Sequence, residues 1–312
     1  MQQDSVSSTA SSDELGRVDE DVIETGDGRR IVVWRTCAVT RDARRGTILL
    51  APGFCRRMYN LATLAQYLTF NGFEVYRYDP LNHLGPSSGV LYDFTMSSGY
   101  YGMNAVLSWL RGERDVDSLG IVATSLSARH AYRACGERHD IDYLLTAVGV
   151  THLRATLQRV FGVDWAACER ELLAPTVVFE DKHVIHGPPF WEDAYAGDWW
   201  EGTTTQRELD SVDIPIVAFA ARDDDWVQPH EVEAALGLSR HRERRLCELA
   251  GSGHNVSQNP AVAQAMLVSM TGEAMGLAAG FDRPLDVKSE PTFTQITEQI
   301  IKERRLSARE GS

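Results

Sequence analysis

The sequence predicts an α/β fold, a mostly parallel central sheet with helices on both faces and an inserted cap. Three observations carry this. Apolar strands alternate with amphipathic helices along the chain. Several strands, such as the run from Arg45 to Gly53 and the one from Tyr143 to Val150, are apolar on both faces, as suits strands covered on two sides. One interval, Thr151 to Val212, breaks the alternation and is too long for a loop without structure of its own.

The elements follow in order. Asp21 to Val39 reads as a hairpin turning at Gly26-Asp27-Gly28. The buried strand ending at Gly53 comes next. A helix from Tyr59 to Asn71 has Leu61, Leu64 and Leu68 at helical spacing and stops at Gly72. Phe73 to Tyr78 is a strand. Tyr101 to Leu110 is a helix with Met103, Val106, Leu107 and Leu110 on one face. Leu119 to Thr124 is a short apolar strand that runs through a tight turn into a helix. After Tyr143 to Val150 and the interval, Ile214 to Ala220 is a strand and Glu231 to Leu238 a helix. Arg245 to Leu249 is the last strand, and Pro260 to Met275 the last long helix.

These elements set the expected organisation. Residues 1–17, polar and without the apolar core of a signal peptide, read as a disordered tail. Residues 18–150 and 213–281 form the α/β core. Residues 151–212, rich in aromatics and carrying Pro188-Pro189, form a cap over the carboxyl edge of the sheet; the alternative is an excursion packed on the sheet's flank. Residues 282–312 are a polar tail with an exposed helix from Thr294 to Arg305.

Composition narrows the function. In 312 residues, 43% hydrophobic content is enough for a substantial core. No apolar run approaches the ~20 residues that span a bilayer, and a cytoplasmic location is expected. A net charge of −13 argues against nucleic acid as a partner. Five cysteines (Cys37, Cys55, Cys135, Cys168, Cys247) form neither a disulfide framework nor a zinc spacing. No metal motif, phosphate loop or dinucleotide fingerprint is present, so no cofactor is expected.

The chemistry gathers around Ser125. Ala123, two residues before it, and Ser127, two after, are small, giving a nucleophile elbow of the form A-x-S-x-S. Large side chains there would push strand and helix apart. The plain alternative is a helix cap, for which Ser127 is also suited. A serine hydroxyl needs a base, and the base needs a third group to fix its tautomer. In α/β-hydrolases the order is Ser, acid, His. Asp223, Asp224 and Asp225 follow the strand after the interval, and the spacing D-x-x-V, ending at Val227, selects Asp224. His254 stands in a Gly/Ser-rich loop after the last strand. Backbone N–H groups of Phe54, after Gly53, and of Leu126 are the candidate oxyanion donors. Among the other histidines, His83 follows a strand and could line the site.

With these residues assembled, the chain resembles the acyl-transferase (myristoyl-acyl-carrier-protein thioesterase) family of bacterial luminescence systems. The resemblance runs from about Ile31 to about Leu277. It is carried by Ala51-Pro-Gly-Phe-Cys-Arg-Arg-Met58, Asn82-His-Leu-Gly-Pro-Ser-Ser-Gly89, Ala123-Thr-Ser-Leu-Ser-Ala-Arg129, Asp224-Asp-Trp-Val227 and Gly251-Ser-Gly-His254. The A-x-S-x-S elbow is a departure from ordinary hydrolases that this family shares. The resemblance implies Ser125 as nucleophile, Asp224 as acid and His254 as base. It further implies cleavage of long-chain acyl thioesters through an acyl-serine intermediate, with water or another acceptor taking the acyl group.

The expected function is therefore a serine acyl-thioesterase or acyl transferase acting on acyl carrier protein or acyl-CoA, in luminescence or in a specialised-lipid or polyketide pathway. Trp165, Trp191, Trp199 and Trp200 of the cap are the expected chain-binding residues, and the cap is where the resemblance thins. Arg56 and Arg57, directly after the oxyanion loop, are candidates for carrier docking; the alternative is that they pair with carboxylates or support the loop. Two rival functions use the same fold, a carboxylic ester hydrolase with the same triad and a non-catalytic binder of apolar ligands.

Overall fold

The computed structural model describes residues 17–38, 45–114, 116–287 and 289–309. The tail expected over residues 1–17 lies, apart from Arg17, outside them.

The chain opens with β1 (Val18–Glu24), β2 (Arg30–Thr36), β3 (Gly46–Ala51), α1 (Ala62–Phe70), β4 (Phe73–Tyr78) and α2 (Met96–Gly112). It continues with β5 (Leu119–Thr124), α3 (Leu126–Glu137), β6 (Tyr143–Ala147), α4 (Leu153–Phe161), β7 (Thr176–Phe179), β8 (His183–His186), α5 (Gly187–Ala196) and α6 (Gly202–Leu209). It closes with β9 (Ile216–Ala221), α7 (Pro229–Leu236), β10 (Arg244–Leu249), α8 (Pro260–Ala278) and α9 (Phe293–Arg309). Eight strands form one sheet in the order β1-β2-β4-β3-β5-β6-β9-β10. The pairs β1–β2 and β2–β4 are antiparallel and the rest parallel. No helix among the described residues is long and apolar enough to cross a membrane.

Alternation along the strands explains why both faces are covered. Leu49, Ile121, Leu144 and Ala218 point into the larger core cluster, which also takes the apolar sides of α2, α3 and α7. Their neighbours Ile48, Leu50, Val122, Leu145 and Val217 join the second cluster, with α1 and α8. A period of two with apolar residues in both phases buries both faces.

Register then places the site. Ala51 of β3 pairs with Ala123 of β5, and Ala123 with Thr146 of β6. The three strands end level, so the loops leaving them meet at one edge.

Several boundaries differ from the sequence expectation, each for a local reason. Helix α2 starts at Met96, earlier than the expected Tyr101. Thr95 and Ser98 form a reciprocal capping box there, and Gly99 and Gly102 interrupt the apolar pattern. Strand β6 stops at Ala147 because Val148 turns to φ 46°. The C-terminal helix is longer than expected and is docked rather than exposed. Gln299 and Glu303 are buried, and Glu303 receives two hydrogen bonds, each 2.7 Å, from the fully buried Arg77 of β4.

The stretch between β6 and β9 does two things. Its first part, with α4, the β7–β8 hairpin and α5, lies against the carboxyl edge beside Ser125, where its side chains line a cavity. Its last part, α6, packs on α3 and α7 at the flank. There Glu208 accepts from Arg129 and Arg133.

Candidate active site

Strand β5 passes into α3 through Ser125, at φ 51° and ψ −122°. This is a strained conformation for a residue with a side chain, and it persists only where the surroundings hold it. The Ser125 N–H donates to Ala147 O (2.9 Å), and its carbonyl accepts from Val150 N–H (3.0 Å). Gly53 leaves room for the elbow, since a Cβ there would sit 3.1 Å from Ser125 Cβ. Ser127 is not the cap its sequence position suggested. Ser125 occupies the cap position of α3, and the buried Ser127 hydroxyl donates to Pro52 O, tying the helix to the loop after β3.

Ser125 Oγ lies 2.8 Å from His254 Nε2. His254 Nδ1 lies 2.8 Å from Asp224 Oδ2. The other carboxylate oxygen, Oδ1, accepts from Trp226 N–H (2.8 Å) and Val227 N–H (3.0 Å). The D-x-x-V spacing has its physical meaning here, because the valine amide closes back onto the carboxylate three residues earlier. Asp223 and Asp225, flanking it, are exposed. A carboxylate can only accept, so Nδ1 carries the proton and Nε2 faces the serine hydroxyl as acceptor. The Trp226 ring lies over His254 with centroids 4.5 Å apart.

Phe54 and Leu126 flank the serine and line the same cavity. Among the described residues, neither backbone N–H donates to another protein group. Leu126 is the first residue of α3, at the positive end of the helix dipole. Two free amides beside the half-buried Ser125 hydroxyl, at the cavity wall, can receive a negative oxygen.

The other sequence candidates fall elsewhere. His83 does not line the cavity; it is buried behind the Phe54 loop, where its Nε2 accepts from Cys55 N–H (2.9 Å). Of the four tryptophans only Trp165 lines the cavity. Trp191 donates to Trp165 O and supports it from behind. Trp199 is buried at the flank, beneath the guanidinium groups of Arg129 and Arg133. Trp200 packs on Phe190 and Tyr195. Both arginines have carboxylate partners within the chain. Arg56 makes a paired hydrogen bond to Glu180 at the tip of the β7–β8 hairpin (3.0 and 2.7 Å). Arg57 reaches the buried Asp79 (3.2 Å) and lies over Tyr59, supporting the loop from within.

The cavity is small, about 60 Å³, and almost wholly apolar in its walls. Leu153, Thr156, Leu157, Val160 and Phe161 form one face of α4 toward it, and Phe179, Ile185 and Phe190 come from the hairpin and α5. The sequence carried a signal for that wall which its reading passed over, the i, i+3, i+4, i+7, i+8 spacing from Leu153 to Phe161. Trp226 was equally visible, inside the acid motif. Ligand pockets commonly run from ~300 to 1,000 Å³, so this one must widen to take a long chain. A larger cavity, about 600 Å³, opens between α1, α8 and the start of α9, but neither Ser125 nor His254 lines it.

Comparison with known proteins gives the family and the fold. A family profile described as acyl transferase matches residues 17–311. An acyl transferase of Photobacterium leiognathi is 38% identical over 286 residues, covering 91% of this chain and 90% of that protein. One from Shewanella hanedai is 39% identical over 287 residues, covering 91% and 92%. Among solved structures, Est1E from Butyrivibrio proteoclasticus with bound ferulic acid aligns with a TM-score of 0.65 at 14% identity, covering 81% of this chain and 98% of that one. DcsB in complex with a substrate analogue gives 0.63 at 16% identity, covering 83% and 99%. At such identities these two structures speak to the α/β-hydrolase fold alone.

Proposed function

The chain belongs to this acyl transferase family and is an enzyme acting on acyl groups; on that premise we propose that it is a serine acyltransferase or thioesterase whose substrate is an acyl thioester. The reading rests on one observation, the continuous line from Asp224 through His254 to Ser125, with both contacts at 2.8 Å, opening on an apolar cavity.

In this reading the Ser125 oxygen attacks the thioester carbonyl while His254 Nε2 takes its proton. The carbonyl oxygen becomes an oxyanion that the Phe54 and Leu126 N–H groups receive. The intermediate collapses, the C–S bond breaks, and His254 returns the proton to the departing thiolate. The acyl-Ser125 ester is then attacked by water or by another acceptor, which His254 deprotonates in turn; this intermediate collapses with cleavage of the bond to Ser125 Oγ, and His254 returns the proton to that oxygen. Asp224 holds the imidazole tautomer and stabilises the imidazolium formed in each half. The thiol is that of an acyl carrier protein or coenzyme A.

The test is turnover of paired substrates that share one acyl chain, one a thioester and one an oxygen ester, with and without an added alcohol acceptor. Faster turnover of the thioester, with the acyl group recovered on the acceptor, supports acyl transfer from a thioester. Preference for the oxygen ester, with hydrolysis only, moves the reading to a carboxylic ester hydrolase.

A further inference from the structure

The loop that carries Gly53 and Phe54 is held from behind by the chain that leaves β4. At its far end, Met58 N–H donates to Asp79 Oδ1 (2.6 Å). Nearer the serine, Cys55 N–H donates to His83 Nε2 (2.9 Å). Cys55 stands at φ 59°, a backbone conformation that a side chain disfavours and that needs an external hold. The two ring-bearing residues also touch, with Phe54 and His83 centroids 5.6 Å apart and Phe94 against both.

Chemistry decides the state of that imidazole. A backbone N–H can only donate, so Nε2 must be the bare nitrogen. An imidazolium would have no acceptor to offer. Burial agrees, pushing the His83 pKa down to about 3 and keeping the ring neutral. The platform is itself stiff. Asn82 N–H donates to Ser88 O and its side chain to Asp93 O. A Cβ on Gly85 would fall 1.9 Å from Asp79 Oδ2, so only glycine fits there.

The consequence for the site is geometric. With the Cys55 N–H committed to His83, the preceding amide, Phe54, is the one left without a partner among the described residues, in the loop that lines the cavity with Ser125. We propose that His83 is a positioning residue, which by accepting the Cys55 N–H fixes the direction of the Phe54 N–H toward the developing oxyanion. This rests on the serine mechanism above and adds a residue to it. His83 touches no reacting atom and takes no proton from the substrate.

The test compares two ligands with the same alkyl chain. One is a trifluoromethyl ketone, whose Ser125 adduct carries an oxyanion; the other is the matching alcohol, which forms no adduct. The variants are His83→Leu, which removes the acceptor, and His83→Gln, whose side-chain oxygen restores one. Affinity for the ketone should fall about tenfold to a hundredfold in His83→Leu, short of the ~10²–10³ lost when an oxyanion donor itself is deleted. Affinity for the alcohol should hold, and His83→Gln should recover most of the ketone affinity. The ratio of the two dissociation constants is independent of the fraction of protein folded, so a destabilised variant still answers. An unchanged ratio in His83→Leu, while the wild type forms the adduct, overturns the role of His83 and leaves the serine mechanism standing. A wild type that forms no Ser125-dependent adduct overturns both.

Discussion

Asp224 and His254 meet at 2.8 Å across thirty residues of chain, and the same carboxylate is anchored by two backbone amides on its other oxygen. The anchor fixes the carboxylate, and the imidazole is thereby held with Nε2 toward Ser125. In Asp224→Asn an amide nitrogen faces either the imidazole or the two backbone donors, and the tautomer is lost. Steady-state turnover should fall roughly 10⁴-fold at neutral pH by analogy with serine proteases. Asp223→Asn and Asp225→Asn, whose side chains are exposed, should stay near wild type.

Ser127 separates structure from chemistry at the elbow. Its hydroxyl donates to Pro52 O inside the protein. Ser127→Ala leaves that carbonyl without its partner and should cost about 1–3 kcal/mol of stability. Thermal melting should show the loss, while active-serine labelling by a fluorophosphonate continues. Loss of labelling in a folded Ser127→Ala protein would place Ser127 in the chemistry.

The cavity walls should govern which acyl chains are accepted. Phe179, from the hairpin, packs on Phe54, Phe161 and Trp226 and closes the space over Ser125. Phe179→Ala should shift preference toward longer or bulkier chains, read as kcat/KM over a chain-length series. Trp199→Ala should act differently. It empties a buried site under two guanidinium groups and should destabilise by about 3–5 kcal/mol with no change in the rank order of chains.

The C-terminal helix is part of the core. Glu303→Gln removes a charge that faces Arg77 where both side chains are all but fully buried (0% and 1% exposed). A stranded buried guanidinium costs about 3–5 kcal/mol, which chemical denaturation would register directly. Unchanged stability would mean that water reaches Arg77.

How much of this was legible in the sequence follows from what each feature depends on. The strands were readable because burial on both faces leaves near-continuous apolar runs, as from Leu119 to Ala123. That Ser125, His254 and Asp224 meet was legible because each sits in a local motif with its own steric logic. The tryptophans misled, since aromatic content marks burial without saying against what. Trp165 faces the cavity, whereas Trp199 faces Arg133. The docking of α9 was hidden because its contacts are all long-range, among them the Arg77–Glu303 ion pair, the Gln66 side chain on Gln295 O and Leu306 against Trp34 and Met58, and no local pattern reveals them. His83 was seen as a site residue, but its partner is a backbone amide, which no side-chain motif encodes.

The central claim is a covalent acyl-serine at Ser125, and intact-protein mass spectrometry after brief exposure to an acyl thioester tests it most directly. The account predicts a mass increase equal to one acyl group, mapped to the peptide carrying Ser125 and absent from Ser125→Ala. Thioester turnover at wild-type rate by Ser125→Ala, or an acyl adduct on a different residue, would contradict it.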